Sequence, residues 1–349
     1  MPVAIESPPD PALIARAAVY LDQILSGPFE HPPSEPVLVV YDRDSELAEV
    51  LREGYRQARP QATLVEFDRE HPERVLTLFE GLDPTTLVVL VQSTSFRLAK
   101  FRIRIELFRR GFKVIEHPHL GRMPGGQVPI YVDSLEYDAG YYRGVGQALR
   151  ERIDRASRGE LSSGSGELLT YPAGFEPAKL NVGDYSELTN VGGQFPIGEV
   201  FTESLELEAV NGRVRIGCFG DTSFQVNHPP APITLVVEAG RIADVLDSTP
   251  EFDRVLSEIR AVEEVVWLRE LGLGLNRAFS FDRVVTDIGT FERMCGVHLS
   301  LGAKHTTYNK PSIKKRAARF HVDVFALADA VRLDDEVVFE GGAWTVAGD

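Results

Sequence analysis

Pro36-Val37-Leu38-Val39-Val40-Tyr41 is a short apolar run, rich in valine and closed by Asp42. A β-branched run of this length reads as a buried strand rather than a helix. Similar runs follow at Ala62–Phe67 (ATLVEF), Thr86–Val91 (TLVVLV) and Phe112–Glu116. Helix-like patterns precede and separate them at residues 11–26, 45–58, 72–82 and 98–110, and another follows at 141–156. Pro72 suits a first helical turn. Strands alternating with helices predict a parallel sheet, so the N-terminal part is read as an α/β domain. Asp42-Arg43-Asp44-Ser45 follows the first strand where a glycine-rich phosphate loop would stand, so a dinucleotide site is not expected.

The pattern changes at Arg158–Gly166 (RGELSSGSG), where glycine, serine and charge break both periodicities. Beyond it lie short strands at 213–219, 233–238 and 241–245, a helix at 250–266 and a terminal hairpin across Gly341-Gly342. With 349 residues the chain exceeds one ordinary core. The expected organisation is an N-terminal parallel α/β domain at 1–158. A C-terminal mixed, β-rich metal-binding domain follows at 159–349.

Composition narrows the function classes. A formal charge of -15 argues against a nucleic-acid partner. Two cysteines, Cys218 and Cys295, form no CxxC pair, which disfavours a disulfide scaffold or a zinc ribbon and fits a reducing compartment. No basic leader or long apolar run points to secretion or to a membrane partner, so a cytoplasmic protein is expected.

His321-Val322-Asp323 places an imidazole and a carboxylate two residues apart. On a strand both face the same way, about 6–7 Å apart along the backbone. The pair reads either as two donors to one cation or as a histidine supported by an aspartate. His298 lies in Cys295–Gly302 (CGVHLSLG) and shares a strand face with Gly296 and Ser300. It reads as a ligand or as a buried histidine bonded to backbone. Glu270 stands in Trp267–Asn276 (WLRELGLGLN), a run where an unpaired carboxylate is expensive. Glu199 follows Gly198 in Gly193–Phe201 (GQFPIGEVF). Three carboxylates and two imidazoles suit Zn, Mn, Co or Fe(II), with Mg less favoured. Five donors suit two ions sharing a carboxylate.

Three further groups carry charge. Arg97, Lys100, Arg102, Arg104, Arg109 and Arg110 read as a solvated helix face or as a carboxylate-binding patch. His117 and His119 follow a strand end, where α/β domains often place active groups. Lys304, Lys310, Lys314 and Lys315 read as a solvated loop or as a site for an anionic substrate.

The donor motifs resemble those of the thermophilic metalloaminopeptidases, the aminopeptidase T group. The likeness covers mainly residues 185–349. It rests on Pro196-Ile197-Gly198-Glu199, on Glu270 ahead of its glycine-containing run, on Gly296-Val297-His298 with Ser300-Leu301-Gly302, and on His321 and Asp323. The resemblance implies a cytoplasmic metalloprotease that uses two divalent ions (Zn, Co or Mn) to remove an N-terminal residue from a peptide, and a homodimer. It implies Glu199, Glu270, His298, His321 and Asp323 as metal ligands, with Glu199 shared between the ions. The family's catalytic tyrosine falls at His305 here, with Tyr308 three residues on. His305 or Tyr308 is therefore expected to steady the oxyanion. The chain also looks like the 2,5-dihydroxypyridine dioxygenases, which hold one Fe(II) with two histidines and an aspartate. Their first histidine precedes a GWGL run, matched by Gly272-Leu273-Gly274-Leu275, but that ligand position aligns with Glu270. They lack a counterpart of His298.

Overall fold

The computed structural model describes residues 8–69, 71–98, 101–313, 316 and 318–347. The chain forms two compact units, Met1–Ala139 with Gly183–Ile197, and Gly140–Val182 with Gly198–Asp349.

In the first unit five parallel strands lie in the order Gly192–Gln194, Lys113–His117, Leu87–Val91, Val37–Tyr41, Thr63–Glu66. The central strands Val37–Tyr41 and Leu87–Val91 are almost wholly buried, which is why their sequences are continuous apolar runs rather than alternating ones. Pro11 opens helix Pro11–Ser26, and the Asp10 side chain accepts the Ala12 N–H. Ser45 caps Glu46–Ala58 through the Ala48 N–H. Both ends thus spend a side-chain oxygen on an otherwise unpaired amide.

The unit boundaries differ from a single cut at 158. The strand Gly192–Gln194 pairs with Lys113–His117, so a later part of the chain completes the first sheet. The glycine- and serine-rich stretch near 160 is not a linker. It is the turn of a hairpin in which Gly159–Ser163 pairs with Glu167–Tyr171.

Of the charged groups in the first unit, Arg104 is committed to the core, while Arg97 and Arg109 are exposed. Arg104 Nη1 lies 2.6 Å from the buried Glu116 Oε2, and Arg110 Nε lies 2.9 Å from Glu106 Oε1. The helix expected at 98–110 spans Ile103–Arg109, after two-residue strands at Arg97–Leu98 and Phe101–Arg102. Lys100 lies outside the described residues. His119 adopts a left-handed conformation, with Nε2 3.3 Å from Ser95 Oγ. His117 is fully buried between two phenols. Its Nε2 is 2.8 Å from Tyr55 Oη and its Nδ1 is 2.9 Å from Tyr131 Oη. Tyr131 donates to Phe195 O at 3.0 Å. With its proton given to Phe195 O, Tyr131 Oη accepts from His117 Nδ1–H, and His117 Nε2 accepts from Tyr55 Oη. A neutral imidazole satisfies both phenols, and His117 packs as a core residue.

The second unit is built on a 14-stranded antiparallel sheet. Its centre runs Asn211–Gly220, Val322–Ala326, Gly296–Leu301, Leu268–Gly274, Glu199–Glu203. Helix Pro250–Glu263 is capped by Thr249, which accepts the Phe252 N–H. Among the described residues no helix is long and apolar enough to cross a membrane.

Burial holds the His117 pKa down to about 3. The unfolded chain takes up this proton below about pH 6.5 while the native state does not. This site therefore weakens the fold by about 1.4 kcal/mol per pH unit from about 6.5 toward 3. His117→Gln is expected to lose about 1–3 kcal/mol at pH 7.5 through an imperfectly replaced buried hydrogen bond. Its stability should also fall less steeply than wild type between pH 6.5 and 4, as urea unfolding across pH will show.

Candidate metal centre

The residues singled out as donors stand on four adjacent strands, or directly before one. Glu199 begins Glu199–Glu203, Glu270 lies in Leu268–Gly274, His298 in Gly296–Leu301, and His321 and Asp323 at the start of Val322–Ala326. Register brings them together. Glu199 is opposite Gly274, Gly272 is opposite His298, and Ser300 is opposite Asp323. Opposed residues of an antiparallel pair project from the same face.

Two local devices open that face. The first is Gly272. A Cβ there would lie 1.9 Å from His298 Nε2, so the imidazole lies across the space a side chain would fill. The second is a bulge. Leu268 pairs with Leu301 and Leu271 with Leu299, so Arg269 and Glu270 together oppose Ser300. The Glu270 N–H donates to Ser300 Oγ at 3.0 Å, replacing a ladder bond. Bulges re-aim side chains in this way.

The resulting cluster is compact. His298 Nε2 is 3.3 Å from Glu199 Oε1 and 3.4 Å from Glu270 Oε1. His321 Nε2 is 3.1 Å from Asp323 Oδ1 and 4.0 Å from Glu270 Oε1. Glu199, Glu270 and His298 form one group of donor atoms within 4.8 Å of one another, and Glu270, His321 and Asp323 form a second. Glu270 is common to both. All but His321 are buried.

The donor set fits a divalent cation. His298 Nε2 and Asp323 Oδ1 are buried without a hydrogen-bond partner. Each is close to an opposite group yet aimed beside it, which is the arrangement of donors around a common centre. Burial alone would lower the pKa of His298, but Glu199 and Glu270 outweigh it and raise it to about 10. Burial likewise lowers His321, and the Asp323 and Glu270 carboxylates raise it to about 9. Burial works against ionisation of Glu270, while His298 and His305 hold its carboxyl well below the usual range. Three buried carboxylates thus demand positive charge, and protonated imidazoles supply it here. Neutral imidazoles around a metal ion satisfy the same demand.

His305 Nε2 lies 2.7 Å from Glu270 Oε2. The Thr307 and Tyr308 amides donate to His305 Nδ1 at 3.1 and 3.3 Å. Two N–H groups at Nδ1 leave it unprotonated, so the ring carries its proton on Nε2 and donates it to Glu270. Tyr308 does not face the donors. Its hydroxyl donates to Pro177 O at 2.7 Å, with Phe201 O at 3.3 Å, and burial pushes its phenol well above the usual range.

Several charged residues near the cluster are legible only in three dimensions. Arg269 is buried rather than on the surface. It grips Glu203 through Nε at 2.5 Å and Nη2 at 2.9 Å, and binds Ala303 O and Tyr308 O. Lys310 is also buried, with Nζ 2.6 Å from Glu176 Oε1 and 2.6 Å from Ser204 O. It is therefore neither solvated nor free for an anionic substrate, while Lys314 and Lys315 lie outside the described residues. Arg293 Nη1 is 3.7 Å from Glu199 Oε2. No local pattern marks Arg293 or Glu203, because each acquires its partner through strand register and loop return.

No family model matches this chain, and no curated protein does. Among solved structures it is similar to 2,5-dihydroxypyridine dioxygenase from Pseudomonas putida KT2440, with a TM-score of 0.61 and 16% identity, over 95% of this chain and 97% of that one. It is also similar to wild-type AmpT from Thermus thermophilus, with a TM-score of 0.58 and 13% identity, over 95% of this chain and 99% of that one. At these identities the likeness is one of fold.

Gly272→Ala tests the geometry without touching a donor. The added methyl displaces the His298 ring, and divalent-ion affinity is expected to fall about 10–100-fold, as when the support of a ligating histidine is lost. Titration calorimetry with Zn or Mn measures it, and circular dichroism checks that the sheet is retained.

Proposed function

We propose that this protein is a metal-dependent hydrolase that removes an N-terminal residue from a peptide or cleaves a small amide. The observation that carries the reading is the overlap of two donor groups at Glu270. Glu199 and His298 would hold one ion, His321 and Asp323 the other, and Glu270 would serve both. The sequence resemblance assigned the shared position to Glu199; the overlap supports Glu270 instead. Bound there, a pair of divalent ions (Zn, Co or Mn) lowers the pKa of water and polarises a carbonyl.

The protein's own contributions follow from the contacts. The Nε2–H of His305 holds Glu270 Oε2, leaving Oε1 turned toward His298 and His321. His305 is on this reading a positioning residue, not the group that steadies the oxyanion. Tyr308 packs against the His305 ring, with centroids 4.9 Å apart, and spends its hydroxyl proton on backbone. Arg293 Nη1 stands 3.7 Å from the second oxygen of Glu199 and places a cation beside it. The substrate is a peptide or small molecule, and a homodimer is expected from the family resemblance.

The competing reading is a mononuclear Fe(II) dioxygenase acting on a dihydroxypyridine-like ring. It has support from one neighbour's fold. The ligand chemistry fits it less well, because Glu270 stands where the resemblance calls for a histidine and His298 is an extra donor.

Elemental analysis and paired assays separate the two. Two ions per chain are expected, with chelator-sensitive cleavage of aminoacyl p-nitroanilides or dipeptides. Glu270→Ala and His298→Ala should each lose at least about 100-fold in kcat/KM, the order seen when electrostatic stabilisation is removed. One iron per chain, with oxygen uptake on 2,5-dihydroxypyridine and no amide cleavage, would overturn the proposal.

A second experiment addresses His305. Glutamine can offer an N–H near the Nε2 position, whereas phenylalanine cannot. His305→Gln should retain ion affinity within a few-fold, and His305→Phe should lose about 10–100-fold. Equal losses in both variants would show that His305 acts otherwise than by donating to Glu270.

A further inference from the structure

Glu263 is the last residue of helix Pro250–Glu263 and is 8% exposed. A carboxylate at that end meets the negative pole of the helix and is locally disfavoured. Three backbone amides nevertheless converge on it. Its Oε2 accepts from Ala303 N at 2.7 Å, and its Oε1 accepts from Arg319 N at 2.6 Å and Phe320 N at 2.8 Å. These amides bracket the loop that leaves strand Gly296–Leu301 and returns to Val322–Ala326.

The neck of that loop is closed by further contacts. Lys304 N donates to Phe320 O at 2.9 Å. Gly302 has φ +106°, and a Cβ there would lie 2.4 Å from Phe320 O. His321 Nδ1 lies 3.2 Å from Lys304 O, which turns Nε2 toward Asp323 and Glu270. Both imidazoles that reach Glu270 from this loop start at the neck. His305 is two residues beyond Ala303, and His321 directly follows Phe320.

We infer that Glu263 is a positioning residue for the metal centre, clamping both ends of the loop so that His305 and His321 approach Glu270 together. The inference rests on the metal reading above. Glu263 acts through backbone: its carboxylate holds the Ala303, Arg319 and Phe320 amides rather than a donor side chain. A charged acceptor suits this task because a carboxylate takes several N–H bonds at once, each stronger than a neutral one.

The test compares wild type, Glu263→Gln, Glu263→Asp and Glu264→Gln. Glu264 is the exposed neighbour and serves as control. Two readouts are used: the rate of tryptic cutting in the metal-free protein after Lys304, Arg316 and Arg319, and the affinity and visible spectrum of bound Co(II). Glu263→Gln, which puts an NH2 group against a backbone N–H, should be cut at least tenfold faster and bind Co(II) at least tenfold more weakly with an altered spectrum. Glu263→Asp should fall between it and wild type, and it carries the test if Glu263→Gln does not fold. Unchanged cutting, or faster cutting with wild-type Co(II) affinity and spectrum, overturns the inference. Wild-type protein that binds no Co(II) overturns the metal reading itself and, with it, this role for Glu263; altered cutting alone then reports only a structural clamp.

Discussion

The constraint on which the second unit depends is the burial of three carboxylates, Glu199, Glu270 and Asp323, on one sheet. Two unit charges about 4 Å apart repel by about 4 kcal/mol at an effective dielectric near 20. An apolar sheet tolerates such a group only with cations among the carboxylates. The imidazoles of His298 and His321 and the guanidinium of Arg293 stand where those charges are needed. The same strands also bury the Arg269–Glu203 pair, so the charge at this part of the sheet is a cost to stability kept in a well-packed region. Such exceptions to ordinary burial mark functional sites more often than structural ones.

The sheet meets that constraint through alternation and one inserted residue. Glu270, Gly272 and Gly274 alternate along Leu268–Gly274 and share the donor face, paired with Glu203, Phe201 and Glu199. The bulge at Arg269 and Glu270 breaks the alternation at Arg269, whose guanidinium binds Glu203, the residue paired with Glu270. The Arg269 guanidinium then takes two carbonyls of the loop carrying His305. The irregularity therefore supplies a support for the loop that orients the shared donor. Removing one partner of the Arg269–Glu203 pair would strand a buried charge, which costs far more than losing an exposed pair.

The sequence reveals the central strands Val37–Tyr41 and Leu87–Val91 because each is a β-branched run buried on both faces, and both lie close to their expected limits. The donors are visible for the opposite reason, as charges and imidazoles embedded in apolar runs. What sequence could not supply is pairing between distant segments. The return of Gly192–Gln194 to the first sheet rests on three residues of little hydrophobic character. The glycines and serines near 160 signal a turn equally well inside a hairpin or between domains. The roles of Lys310, Tyr308 and Glu263 depend on which backbone groups their loops bring within reach, and no periodicity encodes that.

His305 shows how far side-chain identity falls short of side-chain role. An imidazole at the position where the resembled aminopeptidases carry a tyrosine invites a role in polarising a carbonyl, since both groups can donate a proton. The amides of Thr307 and Tyr308 remove that freedom by occupying Nδ1, and Glu270 occupies Nε2. A ring with both nitrogens committed cannot also meet a developing oxyanion without breaking one of these bonds. Its effect instead passes through the carboxylate it holds, in the way a hydrogen-bonded partner fixes the orientation of a metal ligand. On the hydrolase reading proposed above, the group that would steady a substrate carbonyl must then be sought among the proposed ions and the donors facing them rather than in the loop.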